Sequence, residues 1–338
     1  MAVPAFLRNL FRSAAKVSNG REREIYRGGT LTVAEPMLMT IKASERGFYR
    51  TLLVTRDIDD GELAVPHKLL LDVVRNNVSQ ADTRRKVVPR LPSVIPRLMR
   101  SLRDPDSSAK DYVEIINKDP AMSAAVIKLA NSAYFNPASQ AINSIELSVV
   151  TLGIAGLRTV LSAAVMQPII QRKSHYFSEF GQGLWQHSLC CAVACEILAH
   201  QRGLGPYQAY LMGLTHDIGK ITIFSEICKQ VQANGGGQSP GYQTFAPLMM
   251  QMSAQLSYWI ARDWELSDQI CAALEQQVDL KAGKRVGPYG HLLFQANLLC
   301  EVYASGRHRD PELSQHLIEE LALPPEIFET LDQLALEI

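Results

Sequence analysis

The stretch Tyr210-Leu-Met-Gly-Leu-Thr-His216-Asp217-Ile-Gly-Lys220 decides the reading of this chain. It sets a histidine and an aspartate side by side in an apolar run with helical patterning. An unpaired buried carboxylate is strongly disfavoured, so Asp217 needs a partner. His216 and Asp217 can both ligate one divalent cation, which would offset the burial. Leu214, Asp217, Ile218 and Ile221 fall on one helical stripe, which turns Asp217 towards the core. Upstream, Leu184-Trp-Gln-His187-Ser lies in another helical pattern. Its stripe runs through Leu184, Ser188, Cys191, Cys195 and Leu198, and His187 sits at the inward edge.

The rest of the chain bounds the problem. With 338 residues there is room for one large or two to three modest domains. Hydrophobic residues make up 47% and charged residues 20%, so a packed core is expected rather than disorder. Lys+Arg and Asp+Glu are 34 each, a balance that argues against bulk nucleic-acid binding. No interleaved aromatic and basic pattern points to nucleic acid either. No apolar run is read as approaching the roughly 20 residues that span a bilayer, and the N-terminus lacks a secretory pattern. A cytoplasmic protein without membrane contact is therefore expected. The six cysteines, Cys190, Cys191, Cys195, Cys228, Cys271 and Cys300, form no Cys-x-x-Cys pair. They read as small core residues in a reducing compartment, with a zinc or disulfide role as the alternative.

From about residue 90 the periodicity is helical. Asp111–Asn117 and Ala121–Ser132 carry apolar residues at three- and four-residue spacing. Pro120 suits a first helical turn, and Ser144 is a candidate N-cap for the run that follows. Gly153 interrupts that run, which resumes over Ile154–Gln167. Helical patterns return at Phe245–Arg262, Ser267–Gln277, His291–Ala304, Pro311–Leu321 and Pro325–Ile338, and Gly235–Gly241 reads as a loop. Residues 1–88 differ. Leu31–Lys42 and Tyr49–Val54 are ambiguous between helix and strand, Val65–Val74 reads as helix, and Asp82–Arg90 as a charged linker. Phe6–Lys16 is a short basic amphipathic candidate helix, expected to pack on the protein itself. Arg84, Arg85, Lys86, Arg90, Arg97, Arg100 and Arg103 make a basic cluster, read as a solvated face.

From Leu91-Pro-Ser-Val-Ile-Pro-Arg-Leu98 to about Ala304 the chain resembles the HDOD family, a bacterial signalling branch of the HD phosphohydrolase superfamily. The resemblance rests on several ordered segments. They are Ile116-Asn-Lys-Asp119-Pro120, Ile127-Lys-Leu-Ala-Asn131-Ser-Ala-Tyr134-Phe135 and Ile142-Asn-Ser-Ile-Glu146 with Leu152-Gly-Ile-Ala-Gly-Leu-Arg158. Trp185-Gln-His187-Ser188 and Gly213-Leu-Thr-His216-Asp217-Ile-Gly-Lys220 follow. It implies an all-α, multi-helix HD-like bundle with a small mixed or helical N-terminal extension. The expected organisation is an extension and linker over 1–88, the HDOD domain over 89–304, and C-terminal helices over 305–338. Within the domain, 89–170 is the N-terminal helical half and 171–304 the HD-like half.

In active members of the superfamily the first His, the His-Asp pair and a last-helix Asp hold the metal. Here the first three positions match His187, His216 and Asp217. The last appears as Asn297, and positions where relatives carry further His appear as Ser253, Gln276 and Gln277. The resemblance thus implies a degenerate metal site. Three arrangements remain open: a metal-free hydrogen-bonded cluster of Asp217 with the two histidines, an occupied but inactive site, and retained catalysis with Lys220 holding a phosphate oxygen. The expectation is a non-catalytic regulatory protein with no required cofactor, a weakly bound divalent metal at most, and other signalling proteins or a nucleotide effector as partners. Metal-dependent hydrolysis of a nucleotide or cyclic dinucleotide is the alternative. Tyr134 and Phe135 are expected to sit exposed as a partner contact, capping of the N-terminal bundle being the alternative. His67, His175, His200, His291, His308 and His316 show no ligand spacing. No phosphate-binding glycine loop or Gly-x-Ser-x-Gly is present.

Overall fold

The computed structural model describes residues 31–32, 35–52, 65–101, 108–171, 178–234, 242–281 and 283–335. The expected amphipathic segment Phe6–Lys16, His175 and the Gly235–Gly241 loop lie outside them. Fifteen α-helices make up nearly all of the described structure. The N-terminal ones are α1 (Glu35–Leu52), α2 (Val65–Ser79), α3 (Ala81–Val87), α4 (Val94–Ser101), α5 (Ala109–Asn117), α6 (Pro120–Ala130) and α7 (Ile145–Ile170). The HD-like half follows as α8 (Ser178–Arg202), α9 (Pro206–Thr215), α10 (Ile218–Ala233), α11 (Tyr242–Asp263), α12 (Asp268–Gln277) and α13 (Pro288–Ala304). Helices α14 (Pro311–Glu320) and α15 (Ile327–Ala335) are the last of the described elements. Two short strands, β1 (Leu31–Thr32) and β2 (Arg285–Val286), pair antiparallel with Leu31 opposite Val286.

Local chemistry sets the helix ends. The Asp119 carboxylate accepts from the N–H groups of Ala121 and Met122, and Pro120 fills the first turn of α6, where its missing N–H is harmless. Ser144 Oγ accepts from Leu147 N at 3.1 Å and starts α7. Gly153 breaks α7 with φ 70°, a conformation open to glycine, so this helix is two segments meeting at a kink. By length and composition α7 could cross a membrane, contrary to the reading that no run is long enough. Half of its apolar window is buried, and it packs against α5, α6 and α9. Its hydrophobicity is that of a core helix.

The core is one continuous apolar cluster. It runs from Tyr112, Ile116 and Val126 through Leu157 and Leu161 into α8, where Leu184, Trp185, Leu189, Cys191 and Cys195 are fully buried. Helix α8 is the central element, packed against α9, α13, α1 and α15. The N-terminal segment belongs to this core. Phe48, Tyr49 and Leu52 of α1 are buried against α8 and α13, and α2 packs on α10 and α11. The segment expected as a linker, Asp82–Arg90, holds all but the first residue of α3. Arg84 lies 4.6 Å over the Trp259 ring, and Trp264 Nε1 donates to Pro89 O at 3.0 Å. Those side-chain contacts hold a helix that buries no residue of its own.

Candidate functional site

The His216-Asp217 pair lies at the junction between two helices rather than inside one. Helix α9 ends at Thr215, Asp217 takes φ −100° and ψ 13°, and α10 starts at Ile218. The junction is clamped by two glycines. A Cβ at Gly213 would lie 2.5 Å from the Cys191 carbonyl oxygen, and one at Gly219 would lie 2.2 Å from that of Ser253. Only glycine lets α9 approach α8 and α10 approach α11 so closely. Ser257 Oγ accepts from Gly219 N at 2.9 Å and holds the start of α10.

This junction, α8 and α13 bring the four expected residues together. His187 Nε2 and His216 Nε2 each lie 3.3 Å from Asp217 Oδ2 and 3.1 Å from Asn297 Oδ1. His187, His216 and Asp217 are buried. The amide of Asn297 is oriented by Glu301, whose Oε1 accepts from Asn297 Nδ2 at 3.2 Å. That leaves the Asn297 carbonyl facing both imidazoles. His216 Nδ1 donates to Gly213 O at 2.7 Å, which directs Nε2 into the cluster. His187 Nδ1 is buried without a hydrogen-bond partner.

Lys220, a phosphate contact only in the catalytic alternative, is turned inward. Its Nζ donates to Asp217 Oδ2 at 2.9 Å and stands 4.0 Å from Glu301 Oε1. The α1 rings of Phe48 and Tyr49 lie 5.0 and 5.4 Å from the same ammonium, and Phe48 also packs on the His187 ring at 4.3 Å. Sequence periodicity gave no sign of this cover. Glu301 was legible in principle, one turn after Asn297 on the same face of α13. Glu45, also from α1, lines the small cavity over the cluster with Ser253, Gln277 and Asn297. Gln276 faces elsewhere and accepts from Gly287 N at 2.8 Å, so only its neighbour borders the site.

The charges are strongly coupled. Burial opposes ionisation of Asp217, but the His216 and Lys220 cations outweigh it and hold the carboxyl well below the usual range. Burial likewise opposes charge on His216, yet the Asp217 carboxylate pushes its pKa up to about 9. Burial drives His187 down to about 4 against the pull of Asp217. One imidazolium per carboxylate is the consistent metal-free state: His216 cationic, His187 neutral. Burial raises Glu301 to about 8 against the attraction of Lys220.

The same atoms fit a divalent cation. Nitrogen and oxygen ligands at about 2.0–2.2 Å from a zinc-like ion stand roughly 3.0–3.5 Å from one another. The four His-to-oxygen separations, 3.1 and 3.3 Å, fall inside that span. A metal would replace the proton shared with Asp217 and keep the His216–Gly213 bond.

Tyr134 and Phe135 correct an expectation. Both are buried, at 6% and 9% exposure, and meet edge to face at 4.8 Å between ring centroids. They close the end of α6: Asn131 Nδ2 donates to Ile142 O and its Oδ1 accepts from Ile142 N, folding the loop inward. These rings are core, not an exposed contact. None of the six cysteines forms a disulfide, and all are buried except half-buried Cys228.

Comparison with known proteins agrees with this fold. An uncharacterized protein of Treponema pallidum is 25% identical over 205 residues, covering 59% of this chain and 38% of that protein. A ribonuclease Y of Syntrophotalea carbinolica is 29% identical over 118 residues, 35% of this chain and 21% of that one. The matches span well under half the length of these curated relatives. Among solved structures, an HDOD domain protein of unknown function from Geobacter sulfurreducens superposes with TM-score 0.54 at 21% identity, over 80% of this chain and 98% of that one. A candidate metal-dependent phosphohydrolase from Shewanella amazonensis gives 0.56 at 21%, over 81% and 99%. At such identity these likenesses speak for the fold. A family model for the HDOD domain matches residues 88–280, more than half the chain and the whole of the His187–His216–Asp217 constellation, and this chain belongs to the HDOD domain family.

Proposed function

We propose that this protein is a non-catalytic regulatory module of the cytoplasm that works by binding a signalling protein or a small effector. One observation carries the reading. The Asp217 oxygen that faces both histidines is already bonded by the Lys220 ammonium at 2.9 Å, under the rings of Phe48 and Tyr49. A hydrolytic metal site keeps an open position for water and substrate. Here the cavity over the cluster is about 140 Å³, below the roughly 300–1,000 Å³ of small-molecule sites. The neutral amide of Asn297, with Ser253 and Gln277 beside it, removes further anionic or imidazole ligands from the constellation.

In this role the cluster ties three parts of the bundle together. Asp217 links α8, the α9–α10 junction and Lys220, while Asn297 ties α13 to both histidines. An effector has room on the other side of His187. A cavity of about 510 Å³ there is lined by Phe48, Gln186, Tyr303, His308 and Arg309 among others.

The second reading is metal-dependent phosphohydrolysis, favoured by the four ligand-like separations. A divalent ion held by His187, His216, Asp217 and Asn297 would supply Lewis acidity to a phosphoryl oxygen. For that reading Lys220 must leave Asp217 to meet the phosphate. A screen of mononucleotides, cyclic dinucleotides and phosphomonoesters with manganese or zinc separates the two. The expected result is no turnover above buffer. Hydrolysis that disappears in Asp217→Ala would establish the second reading.

A further inference from the structure

Cys191 lies one turn after His187 on α8, fully buried, with its Sγ 3.6 Å from His187 Nε2. The ligand atoms of His187, Cys191 and His216 all lie within 4.8 Å of one another. Zinc holds imidazole nitrogen at about 2.0–2.1 Å and thiolate sulfur at about 2.3 Å, so N and S ligands of one tetrahedral ion stand roughly 3.6 Å apart. The His187–Cys191 separation is that edge.

The other donors leave an opening for this sulfur. Asp217 is engaged by Lys220, Asn297 carries no charge, and Glu301 accepts from the Asn297 amide. The Cys191 sulfur meets His187 Nε2 at 3.6 Å, the Ala296 carbonyl oxygen at 3.9 Å and the side chains of Cys300 and His216, and thiol hydrogen bonds of this kind are weak. It can therefore be recruited without breaking a strong bond.

We propose that Cys191 is a metal ligand: with His187 and His216 it forms a soft His2Cys set that takes zinc, and the Asn297 carbonyl oxygen, 3.1 Å from both imidazoles, completes the four. On binding, the S–H bond breaks, its proton passes to the buffer, and an S–Zn bond forms without redox change. A thiolate rather than a further carboxylate shifts preference away from magnesium and manganese, which favour oxygen ligands. This rests on the regulatory reading above in that it makes the ion a structural one, held by a closed set of ligands.

The test uses the purified 338-residue chain loaded with zinc or cobalt. The expected result is one zinc per chain and, in the cobalt form, an intense near-ultraviolet thiolate-to-cobalt charge-transfer band. Cys191→Ser, nearly isosteric, should lose the band. It should also weaken zinc binding at least about tenfold, since loss of outer-sphere partners alone costs about 10–100-fold. Cys228→Ser should retain the band. Three results would each overturn the proposal: a chain that binds neither metal, a cobalt form without the band, or a band that survives Cys191→Ser. The wild-type spectrum decides even if the serine variant folds poorly. A band accompanied by Asp217-dependent hydrolysis would keep Cys191 as ligand and sink the regulatory reading. No band and no hydrolysis would do the reverse.

Discussion

At the scale of single residues, Asp217 is the group on which the cluster depends. It neutralises Lys220 and faces both imidazoles within a fully buried site. Asp217→Ala would strand the ammonium beside Glu301 and two aromatic rings. Removing one partner of a buried ion pair typically costs about 3–5 kcal/mol, and urea unfolding of Asp217→Ala should show a loss of that order. An unchanged midpoint would mean the pair contributes nothing. Asn297→Asp should act in two directions. The new carboxylate would meet Glu301 where the amide now donates at 3.2 Å, so the metal-free protein should melt lower. It also adds an anionic ligand 3.1 Å from both imidazoles, so zinc should raise the melting temperature more than in wild type. Equal zinc-induced shifts in the two proteins would contradict the placement of residue 297. The histidines, Asp217 and Asn297 were legible in the sequence because their types and order match a family pattern. The partner of Lys220 was not, because a lysine one turn beyond Asp217 reads equally as an ion pair or as a phosphate contact.

At the scale of elements, the α9–α10 junction does the positioning. It breaks a run that periodicity alone reads as one helix, because the stripe Leu214, Asp217, Ile218 and Ile221 continues across the break. Two close approaches fix it, and both need glycine. Gly219→Ala would drive a methyl group into the Ser253 carbonyl and displace the Ser257 contact. Overpacking of this kind costs typically about 1–3 kcal/mol. Thermal melts should show that loss, and a wild-type melt would mean that α10 and α11 are less tightly apposed than described. Helix α3 shows the opposite failure of pattern reading. Its sequence is charged on all sides, so no amphipathic stripe announces it, yet the stacking of Arg84 on Trp259 holds it in place. Helix α1 was ambiguous because β-branched Thr40, Ile41 and Thr51 weaken the helical signal in a stretch fixed by tertiary packing.

For the whole molecule, the decisive relation is between the N-terminal segment and the HD-like half. The all-α architecture could be read from periodicity and family pattern. The closure of α1 over Lys220 and His187 could not, because it joins residues more than 130 positions apart and leaves no local trace. The central claim is that the site lacks chemistry even where substrate could reach it. Phe48→Ala/Tyr49→Ala removes both rings from the Lys220 ammonium and opens the cluster. The direct measurement is phosphodiester hydrolysis by wild type and by this double variant, each loaded with zinc or manganese and checked for native helical content. The account predicts buffer-level rates for both proteins. Metal-dependent turnover in either one, abolished by adding Asp217→Ala, would contradict it.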